Sequence, residues 1–572
     1  MANESEAATS EIPAAKAHIT SLRFASGTEL KLKEDSILLI IGPNNAGKSQ
    51  SLRDILHLLR SSGAADTKSI KSVSVHKSGN DEALQQVIKD RAFVRDGALY
   101  FAGGGSISPP SAVASAFKRE GLGEAAPLFA ALVTAEARIK ATQPANRIAL
   151  SHEAPTSPIH ALEKDGKREK TLSKLLQKIF DTEIALNRNN GRTVPIHVGA
   201  RPDSNKMPEL SLDFSAEVAK LPTISEQGDG MIAFLGLLLY ISGWPRDIYL
   251  IDEPDVYLHP PQAYAAAKII AEEAKGKQLI LATHNAHFLR GALAANRDRV
   301  SLVRLDRSGG TQIAKAVNID AFETAKAEPI IRFTPILEAA FYQHVVVCED
   351  EADCLFYRAL LEANGHLSET SPVFWLSAHG KQNIKKLAHV LKSLGVHVIS
   401  LADFDLINDE TVLRSLIQAH EGAWSQFDEN FKTVSASIKN KKPTVAAGDV
   451  KIEITKLISQ IADGSQELFE DEYEKKLRDI LRRASPWREI KSSGISAIDS
   501  GAPTQSARNL VRDLKSIGIV LPEIGEMESF YRDISAHGMA WVDQMLKKDL
   551  KNDPELVAAR EFAKVLASSL AT

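Results

Sequence analysis

The chain has 572 residues, too many for one hydrophobic core, so two to four domains are expected. Its 44% hydrophobic and 25% charged residues are those of an ordinary globular protein, and a formal net charge of −4 excludes a uniformly basic nucleic-acid-coating protein while leaving a local basic groove open. The two cysteines, Cys348 and Cys354, fit neither a disulfide framework nor a paired-Cys zinc site and read as reduced, core-packed thiols in a cytoplasmic protein.

Residues 1–15, rich in Ala, Glu and Ser, read as a flexible N-terminus with no apolar leader. From His18 to Phe24 the pattern alternates, a polar turn follows, and Ser36–Ile41 becomes continuously apolar: a hairpin-like start, then a buried strand. A Gly-rich turn opens a helix whose apolar face is Leu52, Ile55, Leu56 and Leu59. Residues 61–221 are less legible and read as an insertion of helices and some strands, without the heptads of a coiled-coil arm. Next come a helix over Met231–Ser242, a strand Ile248–Ile251, a helix Ala263–Lys275 and a strand Gln278–Ala282. The richest apolar run, Met231–Ile241, is about half the ~18–20 residues of a membrane span, so no membrane is expected. After a boundary near 325–343, strands at Val345–Cys348, Val373–Leu376 and Val396–Ala402 alternate with helices at 352–363 and 383–394. A polar, mostly helical stretch at 407–505 interrupts, and a strand Gly518–Leu521 and a terminal helical region close the chain.

Gly42-Pro-Asn44-Asn45-Ala-Gly47-Lys48-Ser49 follows a buried strand and opens a helix, the context a phosphate-binding loop requires. Its backbone N–H groups turn toward phosphate, Lys48 reaches the terminal phosphates, and the Ser49 hydroxyl ligates Mg²⁺. A second strand ends in Asp252-Glu253: Asp252 is placed to hold the Mg²⁺ and Glu253 to orient the attacking water. A third runs into Thr283-His284, where His284 can sense the γ-phosphate. The two phosphate motifs stand about 200 residues apart, as in ABC-type ATPases. Ser225-Glu-Gln-Gly228-Asp-Gly230 resembles a divergent ABC signature, in which Ser225, Gly228 and Gly230 contact ATP bound by a partner subunit. A glutamine for the Mg²⁺ has only Gln85 and Gln86 as candidates.

The second half has no such loop, and its acidic residues gather at strand ends. Glu349 follows one strand with Asp353 an i/i+4 partner, Asp403 and Asp405 end another, and Glu526 and Glu528 follow a third. A lone carboxylate is most often a solvated surface group. Groups at three strand ends repel one another unless a hard cation such as Mg²⁺ neutralises them, and two such ions suit in-line phosphodiester chemistry.

Glu349 with Asp353, followed by Asp403-x-Asp405, resembles a Toprim domain, and an ABC-type ATPase followed by a Toprim domain is similar to the OLD (overcoming lysogenization defect) nucleases, a group that includes the nuclease subunit of the Gabija antiphage system. The resemblance implies an α/β protein: an ATPase domain at 16–335 with an inserted helical region, then a Toprim domain at 336–572 with its own helical insertion. It implies a DNA endonuclease regulated by ATP and dependent on Mg²⁺ or Mn²⁺, with two ions held by Glu349, Asp353, Asp403, Asp405 and Glu528, and Glu526 as a further ligand. Of these, Glu349, Asp403 and Asp405, with Glu253 in the ATPase half, are the expected catalytic residues. The resemblance further implies antiviral defence, a homodimer or larger symmetric assembly, and a second defence component. The His379-Gly380-Lys381 turn looks like the family's glycine turn. Asp350 stands where the family has Gly, and the family's C-terminal basic residue has four candidates here: Lys547, Lys548, Lys551 and Lys564. A different class, a non-cleaving DNA-binding ATPase of RecF or SMC type with a scaffold Toprim domain, stays open at this point.

Overall fold

The computed structural model describes the chain except residues 1–13, 62–65, 96, 102–105, 108, 150–152, 154, 309, 321–334, 369–370, 441–445, 461–470, 484–485 and 571–572. The expected flexible N-terminus therefore lies almost wholly outside the described residues, as does most of the expected boundary segment. The chain divides into two compact units, Met1–Ile319 and Asp320–Thr572.

In the first unit, strands β1 (Lys16–Phe24) and β2 (Glu29–Lys31) form the antiparallel start that the alternation predicts. Strand β3 (Ile37–Ile41) follows, every residue buried. Helix α1 (Lys48–Arg60) buries Leu52, Ile55 and Leu59, each contributing roughly 1.5–3 kcal/mol of apolar transfer. The 61–221 segment departs from the expected insertion. Its strand β4 (Ile70–Ser78) pairs antiparallel with β1, and its strand β5 (Ala130–Val133) is an edge strand of the main sheet. Helices α2 (Ala135–Ala141) and α3 (Gly166–Phe180) lie beyond it. Helix α4 (Asp229–Gly243) is apolar around most of its circumference and is accordingly almost wholly buried. Strand β6 (Ile248–Asp252), helix α5 (Pro260–Glu273) and strand β7 (Gln278–Ala282) follow within a few residues of the expected bounds, then strands β8 (Val300–Ser308) and β9 (Thr311–Ala316). The six-stranded sheet runs β9-β8-β3-β7-β6-β5, parallel except for β9. Its central strands are covered on both faces, so they read as unbroken apolar runs.

The second unit is built on a four-stranded parallel sheet, β11-β10-β12-β13, from β10 (His344–Cys348), β11 (Val373–Ser377), β12 (His397–Leu401) and β13 (Ile519–Val520). Helix α6 (Glu351–Ala363) and helix α7 (Lys381–Ser393) make its crossovers. Between β12 and β13 run α8 (Glu410–Ala419), α9 (Pro486–Ser493) and α10 (Ala502–Ser516), with further helices among them. An aromatic core of Phe356, Tyr357, Phe530, Trp541 and Phe562 fastens the C-terminal segment to α6, with Phe356 and Trp541 edge-to-face at 5.0 Å. Both cysteines are free and buried, as core packing predicts. Among the described residues no helix is long and apolar enough to cross a membrane.

Candidate functional site

The pairing of β3, β7 and β6 sets three strand ends side by side: Asp252 faces Ala282, and Ala282 faces Ile40. The chain leaves β3 through Gly42, whose φ of 139° and approach to the Leu305 carbonyl exclude a side chain. Asn44 and Asn45 are exposed on the loop, and Gly47 is the left-handed residue from which α1 starts. Lys48 is buried and donates to the carbonyls of Gly42 and Pro43, each at 2.9 Å. Burial pulls its pKa down, against the pull of Glu253 and Asp252. Ser49 Oγ donates to Asp252 Oδ1 at 2.8 Å, so the two oxygens expected to share a Mg²⁺ already touch. Burial raises the Asp252 carboxyl, partly offset by the Ser49 bond. Glu253 takes a φ of 47°, and its Oε1 lies 3.3 Å from His284 Nδ1, both side chains partly exposed. Non-glycine residues adopt such a φ rarely, and this one turns the carboxylate off the strand end toward His284.

Sequence reasoning missed Arg138. Fully buried on α2, it donates to the carbonyls of Asp252 at 3.1 Å and Glu253 at 2.9 Å and so fixes the backbone that carries both carboxylates. Burial lowers its pKa to about 10. No local pattern marks it, because only the pairing of β5 with β6 brings it there.

Ser225 lies exposed in a short 3₁₀ turn, Gly228 is the exposed N-cap of α4, and Gly230 packs against the Tyr257 carbonyl. No atom stands within 4 Å of where a Gly228 Cβ would be, so packing in this chain does not explain the glycine. Gln85 and Gln86 are exposed on the helix Asp81–Arg91, and Gln86 bonds Asp90.

In the second unit the carboxylates surround two lysines. Asp403 and Asp405 lie past the end of β12. Asp403 precedes the 3₁₀ turn Phe404–Asn408 that carries Asp405, so this turn sets their directions, and the strand alternation invoked for them does not. Asp403 Oδ2 is 3.2 Å from Lys491 Nζ, which is also 3.5 Å from Glu526 Oε2. Asp405 Oδ2 is 3.2 Å from Lys381 Nζ, at the start of α7. Asp350 and Asp353 form the capping box of α6, with the Asp350 N–H donating to Asp353 Oδ2 at 3.0 Å. Glu528 accepts the Gly538 N–H at 2.9 Å.

The four candidate lysines have other surroundings than the carboxylates. Lys548 donates to the Tyr531 hydroxyl at 3.0 Å, Lys564 pairs with Glu561 at 2.7 Å, and Lys547 and Lys551 lie exposed, while Lys491 and Lys381 reach the carboxylates. Backbone stitching puts Lys491 there. Ile495 N–H donates to the Glu523 carbonyl at 2.9 Å, Ser529 Oγ to the Ser492 carbonyl at 2.8 Å, and Phe404 N–H to the Gly525 carbonyl at 2.8 Å. At Gly525, with φ 118°, a Cβ would fall 2.2 Å from the Lys491 carbonyl, so only glycine lets α9 approach.

Burial, reinforced by neighbouring acids, drives up the carboxyls of Glu349, Asp353, Asp403 and Glu526. Asp403 is raised well above the usual range, against the pull of Lys491, and Glu349 is raised by burial and by Asp405. Asp353 reaches about 7. Burial by itself would lower the Lys491 pKa, but Asp403, Asp405, Glu526 and Glu349 together raise it. Among the described residues no three His, Cys, Asp or Glu side chains are gathered as they stand to hold one ion. Asp403 and Glu526 turn instead to one ammonium and Asp405 to another. The donors are all carboxylate oxygens, half-buried and more numerous than the two ammonium groups beside them, which is the chemistry a hard divalent cation fits.

Residues 122–290 match a family model described as "AAA domain, putative AbiEii toxin, Type IV TA system", and residues 341–405 match one described as "Overcoming lysogenization defect protein-like, TOPRIM domain". The first match includes Ser225, Asp252, Glu253 and His284 but begins after the phosphate loop. The second includes Glu349, Asp353, Asp403 and Asp405 and ends before Glu526. No curated protein matches the chain. Among solved structures, the chain is similar to an Smc head bound to the C-winged helix domain of ScpA, at 15% identity, over 54% of this chain and 99% of that one, with a TM-score of 0.33. It is similar to an Smc head with an extended coiled coil bound to the C-terminal domain of ScpA, from Pyrococcus furiosus, at 13% identity, 55% and 100% coverage and a TM-score of 0.31. It is also similar to the SMC head domain from Thermotoga maritima, at 14% identity, 53% and 99% coverage and a TM-score of 0.28.

Proposed function

We propose, from the premise that this chain is an ATPase–Toprim protein of the OLD family, that it is a DNA endonuclease dependent on Mg²⁺ or Mn²⁺ and regulated by ATP, working in antiviral defence. The observation that carries the reading is the carboxylate set around Lys491 and Lys381, with Asp403 and Asp405 each 3.2 Å from one of these ammonium groups. Glu349, Asp353, Asp403 and Asp405, with Glu526 and Glu528, would hold the metal, two ions in the fullest case. When bound, it supplies Lewis acidity and a water of lowered pKa. The chain's own residues do the rest. Asp403 and Asp405 orient the site, Glu349 takes part in ligation or holds a proton, and Lys491 and Lys381 present positive charge to the phosphate being cleaved.

In the ATPase unit, Lys48, Ser49 and the loop residues Asn44, Asn45 and Gly47 receive the nucleotide. Asp252 receives its Mg²⁺, Glu253 orients water, and His284 at 3.3 Å positions Glu253 and meets the γ-phosphate. The exposed Ser225–Gly230 loop completes the site of a second copy, which makes the working form a homodimer or a larger symmetric assembly.

The test is incubation of supercoiled and linear DNA with Mg²⁺ or Mn²⁺. Asp403→Ala should lower cleavage on the order of a hundredfold or more while ATP hydrolysis persists, because one strong electrostatic contact is lost in one unit only. Cleavage that survives in the Asp403→Ala/Asp405→Ala double variant would refute the site. Wild-type protein that binds DNA, hydrolyses ATP and never cuts would favour the non-cleaving ATPase.

A further inference from the structure

A cavity of about 680 Å³ lies in the first unit, away from the phosphate loop. Trp244 and Arg246, on its wall, directly precede β6, and Asp252 ends that strand, so the length of β6, about 13 Å, separates the cavity from the nucleotide site. Its volume falls in the range of roughly 300–1,000 Å³ that small-molecule pockets occupy.

On the wall one buried donor lacks an acceptor and one buried cation lacks a counter-charge. Trp244 is 8% exposed, and its indole N–H has no hydrogen-bond partner among the described residues. Arg246 is 6% exposed, and among the described residues no carboxylate forms an ion pair with it. Its Nη1 donates only to the neighbouring Pro245 carbonyl. The nearby acid Asp247 is already committed to Arg91 at 2.7 Å and to the Ala17 N–H at 2.9 Å. A buried cation without a counter-charge and a buried N–H without an acceptor are both rare in native proteins, and a ligand is one of the few explanations.

The rest of the wall narrows the chemistry. Lys164 and Arg168 bring further positive charge. Of the bordering acids, Asp165 caps α3 and lies 3.9 Å from Arg168, Asp90 accepts from Gln86, and Glu153 accepts the Ala149 N–H. Phe93 and Tyr100 join Trp244 as aromatic surface. Donors and cations together call for phosphate oxygens, and aromatic walls call for a flat ring.

We infer that this cavity is a second ligand site, distinct from the ATPase centre, that takes a nucleoside monophosphate. Its phosphate meets Arg246, the Trp244 N–H and Arg168, and its base lies against the aromatic wall. Such a site would let a nucleotide other than the hydrolysed ATP bear on β6, and through it on Asp252.

The experiment is calorimetric titration of the full chain with AMP, in a Lys48→Ala background that suppresses the phosphate loop, with adenosine and inorganic phosphate as separate arms. One AMP should bind per chain, at least tenfold more tightly than either fragment. Arg246→Gln should weaken AMP at least tenfold. Arg168→Glu, at a partly exposed position and therefore safe for folding, should do the same with an unchanged melting temperature. No AMP heat at millimolar concentration overturns the inference, as does AMP binding unaltered by Arg168→Glu. Phosphate binding as tightly as AMP also overturns it, since the ring then contributes nothing. None of these readouts depends on DNA cleavage, so the site stands or falls separately from the proposed nuclease.

Discussion

Lys491 is the residue through which the second unit can be tested most directly. Its ammonium stands 3.2 Å from Asp403 and 3.5 Å from Glu526, where a divalent cation would have to draw the same oxygens together. Loading metal therefore breaks two ion pairs. The Lys491 side chain is 41% exposed, so each pair is discounted to the ~0.5–1 kcal/mol of a solvent-screened contact. Two pairs give about 1–2 kcal/mol, or roughly a 5–30-fold change in affinity. Lys491→Met should therefore bind Mn²⁺ about 5–30-fold more tightly than wild type, read by electron paramagnetic resonance of free Mn²⁺. In EDTA the same variant leaves Asp403 and Glu526 without a counter-charge, so its melting temperature should fall below wild type and be regained on adding Mg²⁺. Cleavage should drop in spite of the tighter metal, because the ammonium no longer faces the phosphate. Equal or weaker Mn²⁺ binding by Lys491→Met would refute the reasoning, since it would mean that Lys491 does not compete for these oxygens.

Other outcomes follow from single contacts. Glu253→Gln should keep ATP binding and slow hydrolysis on the order of a hundredfold, and single-turnover hydrolysis at the wild-type rate would remove Glu253 from its role. His420 is buried between Ser400 Oγ and the Ile517 carbonyl, each 2.8 Å away, and its pKa is lowered to about 4, chiefly by burial. The depressed value gives stability that is present above the unfolded pKa of 6.5 and is lost as pH falls toward 4, up to about 3 kcal/mol. The wild-type minus His420→Gln difference in melting temperature, taken in EDTA, should shrink over that window, and a flat difference would contradict it. Asp350→Gly should cost only a few tenths of a kcal/mol by denaturant titration, because glycine is a tolerable N-cap for α6; a loss above 2 kcal/mol would show that Asp350 does more than cap.

The phosphate loop and the strand-end acids were legible because each is a local pattern of strand, turn and helix. The bounds of β7 are those the sequence predicts, and β6 and β10 differ by one residue, since continuous apolar runs between polar turns leave few alternatives. What sequence reading lost was decided by distant pairing. Strand β5 is four residues, Ala-Ala-Leu-Val, too short for any period to show, and its partner β6 lies more than 100 residues on. Arg138 inherits that invisibility. Lys491 was lost for a related reason: it belongs to a stretch that reads as a polar helical interruption. What singles it out is the contact of α9 with the Glu523–Ser529 segment, marked in the sequence only by Gly494 and Gly525.

The two sites share one electrostatic design. In each, a parallel sheet delivers carboxylates to the carboxyl ends of its strands, where burial makes their charge costly. The ATPase unit answers with one acid held by a neutral hydroxyl, Ser49 to Asp252, and with Lys48 turned onto loop carbonyls. The Toprim unit collects more carboxylates than hydroxyls could satisfy, and it answers with ammonium groups from α7 and α9. The difference has a functional direction. Nucleotide can enter the first site by exchanging hydrogen bonds, whereas metal can enter the second only by separating charges. Binding at the second site should therefore be the more sensitive to the placing of Lys491 on α9.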